Sequence, residues 1–224
     1  MKISAGSEIL DKLLEGGYES DIISTVYGPA GSGKTLLCLL ALVNVIESGK
    51  KVIFMDTEGG FSVERLKQLS DNYKDILEKV LFLRPTTFKE QKDCFDKLKK
   101  VVNDKIGLII VDTVSMLYRL EMGKNDDVYE INKELGQQLG FLNEIARKKD
   151  IPVLITNQVY ADFDNPDRVK IVGGDLLRYG SKCMIELKSG RNGVRIVTLR
   201  KHRSICEEKE ASFRIVDKGI ISVS

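Results

Sequence analysis

The sequence predicts an α/β fold: a mainly parallel twisted sheet flanked by helices, with an antiparallel extension at its C-terminal end. Three observations carry that expectation. Short apolar runs at residues 22–27, 51–56, 107–112 and 151–157 alternate with segments of helical periodicity, the order that builds a parallel sheet with crossover helices. From Lys182 onward the runs are short and alternate in polarity, and Gly190 and Gly193 are placed for a hairpin turn. Between the first apolar run and the first apolar helix lies Gly28-Pro29-Ala30-Gly31-Ser32-Gly33-Lys34-Thr35, which fits the phosphate-loop pattern G-x-x-x-x-G-K-[ST] in its required strand–loop–helix setting.

Each element follows from local pattern. Residues 7–14 read as a short helix with Ile9, Leu10, Leu13 and Leu14 on one face, stopped by Gly16 and Gly17. Residues 22–27 form the first buried strand, and residues 36–46 form an apolar helix after the glycine loop. A second buried strand, 51–56, runs into Asp56-Thr57-Glu58-Gly59-Gly60-Phe61. Residues 62–69 are expected to be helical, although Ser62 and Arg65 do not complete a capping box. After a short strand at 80–83, residues 88–102 place Phe88, Cys94, Phe95, Leu98 and Val102 on one helical face. The strand 107–112 ends in Asp112. A long helix at 129–149 buries Leu135, Leu139, Leu142, Ile145 and Ala146, and the strand 151–157 leads to Gln158. Residues 159–172 are polar, contain Pro166 and lack periodicity, so a mobile loop is expected there.

Composition narrows the function classes. A chain of 224 residues, 42% hydrophobic and 30% charged, is expected to form one large domain. The formal net charge of +2 excludes nothing about partners, since 35 basic side chains nearly balance 33 acidic ones. Cys38, Cys94, Cys183 and Cys206 form no C-x-x-C pair, and Met1-Lys2-Ile3-Ser4 runs straight into domain sequence. The expectation is four reduced thiols in a cytoplasmic protein. The longest apolar run is interrupted by Asn44 and is too short for a bilayer.

The chemistry gathers at the glycine loop. Gly28, Gly31 and Gly33 permit the backbone to turn its N–H groups inward as a nest for phosphate. Pro29, Ala30, Ser32 and Leu36 complete the nucleotide-binding stretch. Lys34 supplies a point charge for the β- and γ-phosphates, and the Thr35 hydroxyl can ligate Mg²⁺. The cofactors expected are therefore ATP and Mg²⁺. Ligands in such sheets collect beyond the carboxyl ends of the strands, where Asp112 suits the acidic partner of Mg²⁺. Glu58 suits the orientation or deprotonation of an attacking water, with a solvated loop carboxylate as the plain alternative. Gln158 suits a sensor of the γ-phosphate, or else it caps a strand end. Phe54, Phe95 and Phe141 lie at core positions, so no aromatic platform for bases is expected.

Several stretches resemble the RecA/RadA recombinase superfamily. They are Ile3-Ser4-Ala5-Gly6-Ser7 with Leu10-Asp11-Lys12-Leu13-Leu14, the phosphate loop, Asp56 to Phe61 with Glu64-Arg65-Leu66, Ile110-Val111-Asp112, and Ile155-Thr156-Asn157-Gln158-Val159. Within that family the chain is most similar to the short archaeal paralogues of RadA. The resemblance implies a RecA-like P-loop ATPase core. It places Lys34 and Thr35 on phosphate and metal, Asp112 in the second acidic motif, Glu58 in the water-activating place and Gln158 in the switch place. Arg65 would stack its guanidinium on adenine. DNA, the RadA recombinase and other recombination or repair proteins are the implied partners, and no membrane is.

Departures from the family pattern refine that expectation. RadA carries an N-terminal helix-hairpin-helix domain and a polymerisation motif, and neither is expected here. Residues 121–134 hold Glu121, Asp126, Asp127, Glu130 and Glu134 against Lys124 and Lys133, a net of −3 where RadA has arginines in a DNA loop. The second loop, ahead of Gly173 and Gly174, is short. His202 stands where RadA offers an aspartate to the neighbouring subunit's ATP, which implies slow turnover. Residues 188–203 carry Lys188, Arg191, Arg195, Arg200, Lys201 and Arg203 with no acid, a net of +6. Clustered cations bind phosphates by counterion release, so Arg195, Arg200, Lys201, His202 and Arg203 are the DNA-binding candidates; a solvated hairpin face is the alternative. The resulting reading is a recombination accessory protein that binds DNA and hydrolyses ATP weakly. An active strand-exchange ATPase, a KaiC-like signalling ATPase without DNA and a small-molecule kinase are the other classes.

Overall fold

The β-branched runs become the interior of a sheet, and the segments of helical period cover its two faces. The computed structural model describes residues 1–124, 127–161 and 169–223. In chain order the elements are β1 (Lys2–Ile3), α1 (Glu8–Leu13), β2 (Tyr18–Glu19), β3 (Ile23–Tyr27), α2 (Lys34–Glu47), β4 (Lys51–Asp56), α3 (Val63–Leu69), α4 (Tyr73–Glu78), β5 (Val80–Leu83), α5 (Phe88–Val101) and β6 (Ile106–Asp112). There follow α6 (Met116–Met122), α7 (Val128–Lys149), β7 (Val153–Asn157), β8 (Val159–Ala161), β9 (Val169–Ile171), α8 (Gly174–Gly180), β10 (Cys183–Ser189), β11 (Val194–Lys201), β12 (Lys209–Val216) and β13 (Gly219–Ser222).

Among the described residues nine strands form the main sheet, in the order β13-β12-β11-β10-β3-β7-β6-β4-β5. From β10 to β5 every neighbouring pair is parallel, and β11, β12 and β13 add antiparallel strands at one edge. The expected parallel core with an antiparallel extension is therefore present. Side-chain alternation sorts the core into two layers. Phe54, Leu108 and Ile110 pack with Leu37, Leu39 and Leu66 on one face, while Ile53, Met55, Ile109 and Val111 pack with Phe95, Leu135 and Leu142 on the other. Strands covered on both faces read as continuous apolar runs, which is why β3, β4, β6 and β7 are so legible.

The crossovers position the site. The chain leaves β3 through α2 and enters β4 three places away, and β7 and β6 later fill the gap. The carboxyl ends of these four strands then lie side by side: Tyr27 is in register with Asn157, and Asp56 with Asp112.

Two expectations change. The acidic stretch 121–134 is not a continuous loop. Glu121 belongs to α6, and Asp127 caps α7 by accepting from the Glu130 backbone N–H at 3.1 Å. Asp127 and Glu130 sit at a helix N-terminus, whose partial positive charge favours them; Asp126 lies outside the described residues. The expected loop at 159–172 is paired at both ends as the β8–β9 ladder, with Val159 opposite Ile171. Its centre, residues 162–168 with Pro166, lies outside the described residues. The short helices α4, α6 and α8, each of six or seven residues, are additions to the elements the sequence marks.

Candidate nucleotide-binding site

The loop between β3 and α2 is shaped by its glycines. A Cβ on Gly28 would collide with the Leu187 carbonyl oxygen, so only glycine permits this approach of β3 to β10. Gly33 has φ of 103°, a left-handed value that disfavours any side chain, and it caps α2 with no side-chain hydrogen bond. The first turn of α2 contains no acid. An uncapped, acid-free helix start opening onto a glycine nest is suited to an anion. Ser32 adds a buried hydroxyl with no partner.

Charged and polar side chains converge on this nest from four strand ends. Lys34 is buried and donates from Nζ to the carbonyls of Gly28 at 2.9 Å and Pro29 at 2.8 Å. Burial draws its pKa down from the ordinary lysine value, and the nearby carboxylates of Glu58 and Asp112 work in the opposite sense. Thr35 Oγ1 donates to Asp112 Oδ2 at 2.6 Å, and Thr156 Oγ1 donates to Asp112 Oδ1. Burial pushes the Asp112 carboxyl up, opposed by those two hydroxyl donors. Asp56 accepts from the N–H groups of Gly60 at 3.0 Å and Phe61 at 3.2 Å, which fixes the loop that carries Glu58. The Phe61 ring adds an edge contact to Phe54 and Phe82 at centroid distances of 5.2 and 4.7 Å.

Glu58 is held by two neighbours. Its Oε1 accepts from Gln158 Nε2 at 2.5 Å and from Thr113 Oγ1 at 3.2 Å. A cleft of about 270 Å³ is lined by Ala30, Gly31, Lys34, Thr35, Glu58 and Gln158 together with Asp112. The sequence-predicted Lys34, Thr35, Asp112, Glu58 and Gln158 therefore meet at one place. Leu36 is buried in the core, so only its backbone can face a ligand. Thr35 and Asp112 supply hard oxygen atoms beside the phosphate nest, a donor set that fits Mg²⁺, which takes few protein ligands and completes its shell with water and phosphate. Thr113 and Thr156 escape sequence reasoning because a threonine beside a strand end carries no pattern of its own.

Arg65 lies apart from this cleft. Its guanidinium donates to Gln68 Oε1 at 2.6 Å and to the carbonyls of Val216, Asp217 and Gly219 at 2.7, 3.3 and 3.4 Å. It is thus a plane fastened to the β12–β13 turn.

Of the DNA candidates, Arg195 lies at the start of β11, Arg200 and Lys201 at its end, and His202 and Arg203 just past it. Arg195, at its start, reaches the phosphate loop, where its NH2 group donates to the Gly31 carbonyl at 3.3 Å. Arg203, past its other end, pairs with Glu19 and Asp21 at 2.5 and 2.8 Å. At about 3.3 Å per residue the two are separated by roughly 25 Å. Arg200 pairs with Glu186 at 2.6 Å and with Glu208. Lys201 Nζ donates to the carbonyls of Arg178 at 2.5 Å and Ser181 at 2.8 Å, at the end of α8. His202 Nδ1 accepts from the backbone N–H groups of Ser204 and Ile205, each at 3.2 Å, and burial lowers its pKa. The acids that meet this charge all come from outside residues 188–203, so the +6 count overstates the free charge.

Comparison with known proteins agrees with the fold. The Rad51 family model matches residues 1–223. The chain is 41% identical to the DNA repair and recombination protein RadB of Methanobrevibacter smithii, over 98% of this chain and 95% of that one. It is 42% identical to the RadB of Methanococcus maripaludis strain C7, over 95% and 97% of the two chains. A solved structure described as the crystal structure of the RadB recombinase superposes with a TM-score of 0.85 at 38% identity, covering 99% of this chain and all of that one. The expected RecA-like core is thus the observed one, and the chain belongs to the Rad51 family, within its RadB branch of DNA repair and recombination proteins.

Proposed function

We propose that this protein is an ATP-binding accessory factor of homologous recombination. It hydrolyses ATP weakly, binds DNA without sequence preference, and assists or regulates RadA rather than exchanging strands itself. It works as a single ATPase core in the cytoplasm. The observation that carries the nucleotide part is the convergence of Lys34, Thr35, Asp112, Glu58 and Gln158 on one cleft. Lys34 and the nest hold the phosphates, Thr35 and Asp112 hold Mg²⁺, and Glu58 orients or deprotonates water. Mg²⁺, when bound, neutralises charge on the β- and γ-phosphates. Gln158 joins Glu58 to β8 directly, since it precedes Val159, and so links the phosphate end of the cleft to the hairpin beyond it. Arg65 offers its face to the base.

DNA binding falls to the cations of β11 and its turn, chiefly Arg191, Arg200, Lys201 and Arg203, with the charge left over after pairing. A second reading, an ATPase with no DNA role, is favoured by that pairing of Arg200 and Arg203. Duplex binding measured against salt, with and without ATP, separates the two. The accessory reading expects sequence-independent binding. Its logarithmic salt slope flattens by about 0.9 for each cation withdrawn from a phosphate, as in Arg191→Ala and Lys201→Ala. Binding that is absent at low salt, or indifferent to salt, would leave the second reading standing.

A further inference from the structure

We propose that Arg195 contacts the terminal phosphate of the bound nucleotide, as a guanidinium supplied in cis by the C-terminal extension. Because β11 runs antiparallel to β10, its first residues return to the carboxyl edge of the parallel strands, with Arg195 in register with Ser189. Arg195 thereby lands on the phosphate loop at Gly31. Gly31 lines the same cleft as Glu58 and Gln158, which marks this as the phosphate end, whereas Arg65 occupies the side of the β12–β13 turn.

The state of its hydrogen bonds distinguishes Arg195 from Arg200 and Arg203. Arg200 and Arg203 each take two carboxylates. Arg195 has no carboxylate partner among the described residues. Among those residues it donates only to two backbone carbonyls, Val194 at 3.2 Å and Gly31 at 3.3 Å, and its buried Nε has no partner there. A guanidinium has five donors in a planar fork that matches phosphate, and an anionic oxygen is a stronger acceptor than a neutral carbonyl. Spare donors beside a phosphate nest have an evident acceptor in a third phosphate. A cation there would offset the charge that develops on the transferring group, the role of an arginine finger. This rests on the nucleotide reading given above and adds to it a residue that discriminates tri- from diphosphate.

The test is equilibrium binding of ADP and of the β,γ-imido analogue of ATP, both with Mg²⁺, by calorimetry. Arg195→Ala is expected to lose about tenfold in affinity for the analogue and less than twofold for ADP. Arg195→Lys keeps the charge without the fork, and is expected to recover part of that loss. Arg195→Gln preserves the packing of the stem and guards against a folding defect. Equal losses for the two nucleotides, no loss for either, or a flattened DNA salt slope with nucleotide affinity intact would each overturn the assignment. Lys34→Ala serves as the separate check on the site itself: if it binds both nucleotides normally, the nucleotide reading fails whatever Arg195 does.

Discussion

Lys34 and Asp112 show at the scale of single residues how one burial acts on opposite charges. Removal from water disfavours each charged form, so the lysine is drawn down and the aspartate is pushed up. The strand ends supply partial compensation through loop carbonyls for the one and hydroxyls for the other. A phosphate and a cation arriving together would complete both shells. Glu58 differs, since it sits at the rim with Gln158 and Thr113 as donors. Glu58→Gln keeps the volume and the polarity but loses the base. It is expected to lower ATP turnover by about 10²-fold or more while leaving affinity for the imido analogue within a few-fold. Steady-state turnover together with calorimetry checks this; turnover retained within twofold would remove Glu58 from the chemistry.

Among the elements, β11 shows why residue type alone misleads. A strand spaces its side chains at about 3.3 Å per residue, so a basic run becomes a line that meets different neighbours along its length. The outcome is a loop contact at Arg195, a Glu186–Arg200–Glu208 network near the other end and a Glu19–Arg203–Asp21 clasp just past it. Hydrogen bonding to Arg203 holds the Asp21 carboxyl below its ordinary value of 3.8. A depressed carboxylate contributes stability that is present above the unfolded pKa and is lost as pH falls through the folded one. The stability gap between the wild type and Arg203→Ala is therefore expected to be constant at neutral pH and to close below about pH 3.8. Denaturant unfolding across the acid-to-neutral range measures it, and a gap that persists unchanged at the acid end would refute the pairing.

For the whole molecule, the sheet edge at which β3, β4, β6 and β7 end is the feature that assembles the site. It joins residues as far apart in the chain as Lys34 and Gln158, which share no local signal. The phosphate loop, Asp112 and the flanking strands are legible because each has a local cause: glycine geometry, a charged end on an apolar run, and two-sided burial. The threonines around Asp112 are not legible, and neither are the acids that meet Arg200 and Arg203, because those contacts exist only once the crossovers are made. The helices α4, α6 and α8 also escape the pattern; length alone is not the reason, since α1 and α3 are as short and are legible. The accessory role also carries an expectation at this scale: sedimentation of the protein with ATP and DNA should show no long filaments. Cooperative, DNA-length-dependent growth would favour an active strand-exchange enzyme instead.

The amino-acid order by itself determined the parallel core, the phosphate loop and the identity of the residues able to serve a nucleotide. Those follow from backbone freedom and apolar periodicity, which act over a few neighbouring positions. Only the tertiary structure decided which charges remain free. Electrostatic partners are set by distance through space, and folding brought Glu19, Asp21, Glu186 and Glu208 to cations whose own stretch of sequence, residues 188–203, holds no acid, while leaving Arg195 at the phosphate loop without an acid among the described residues.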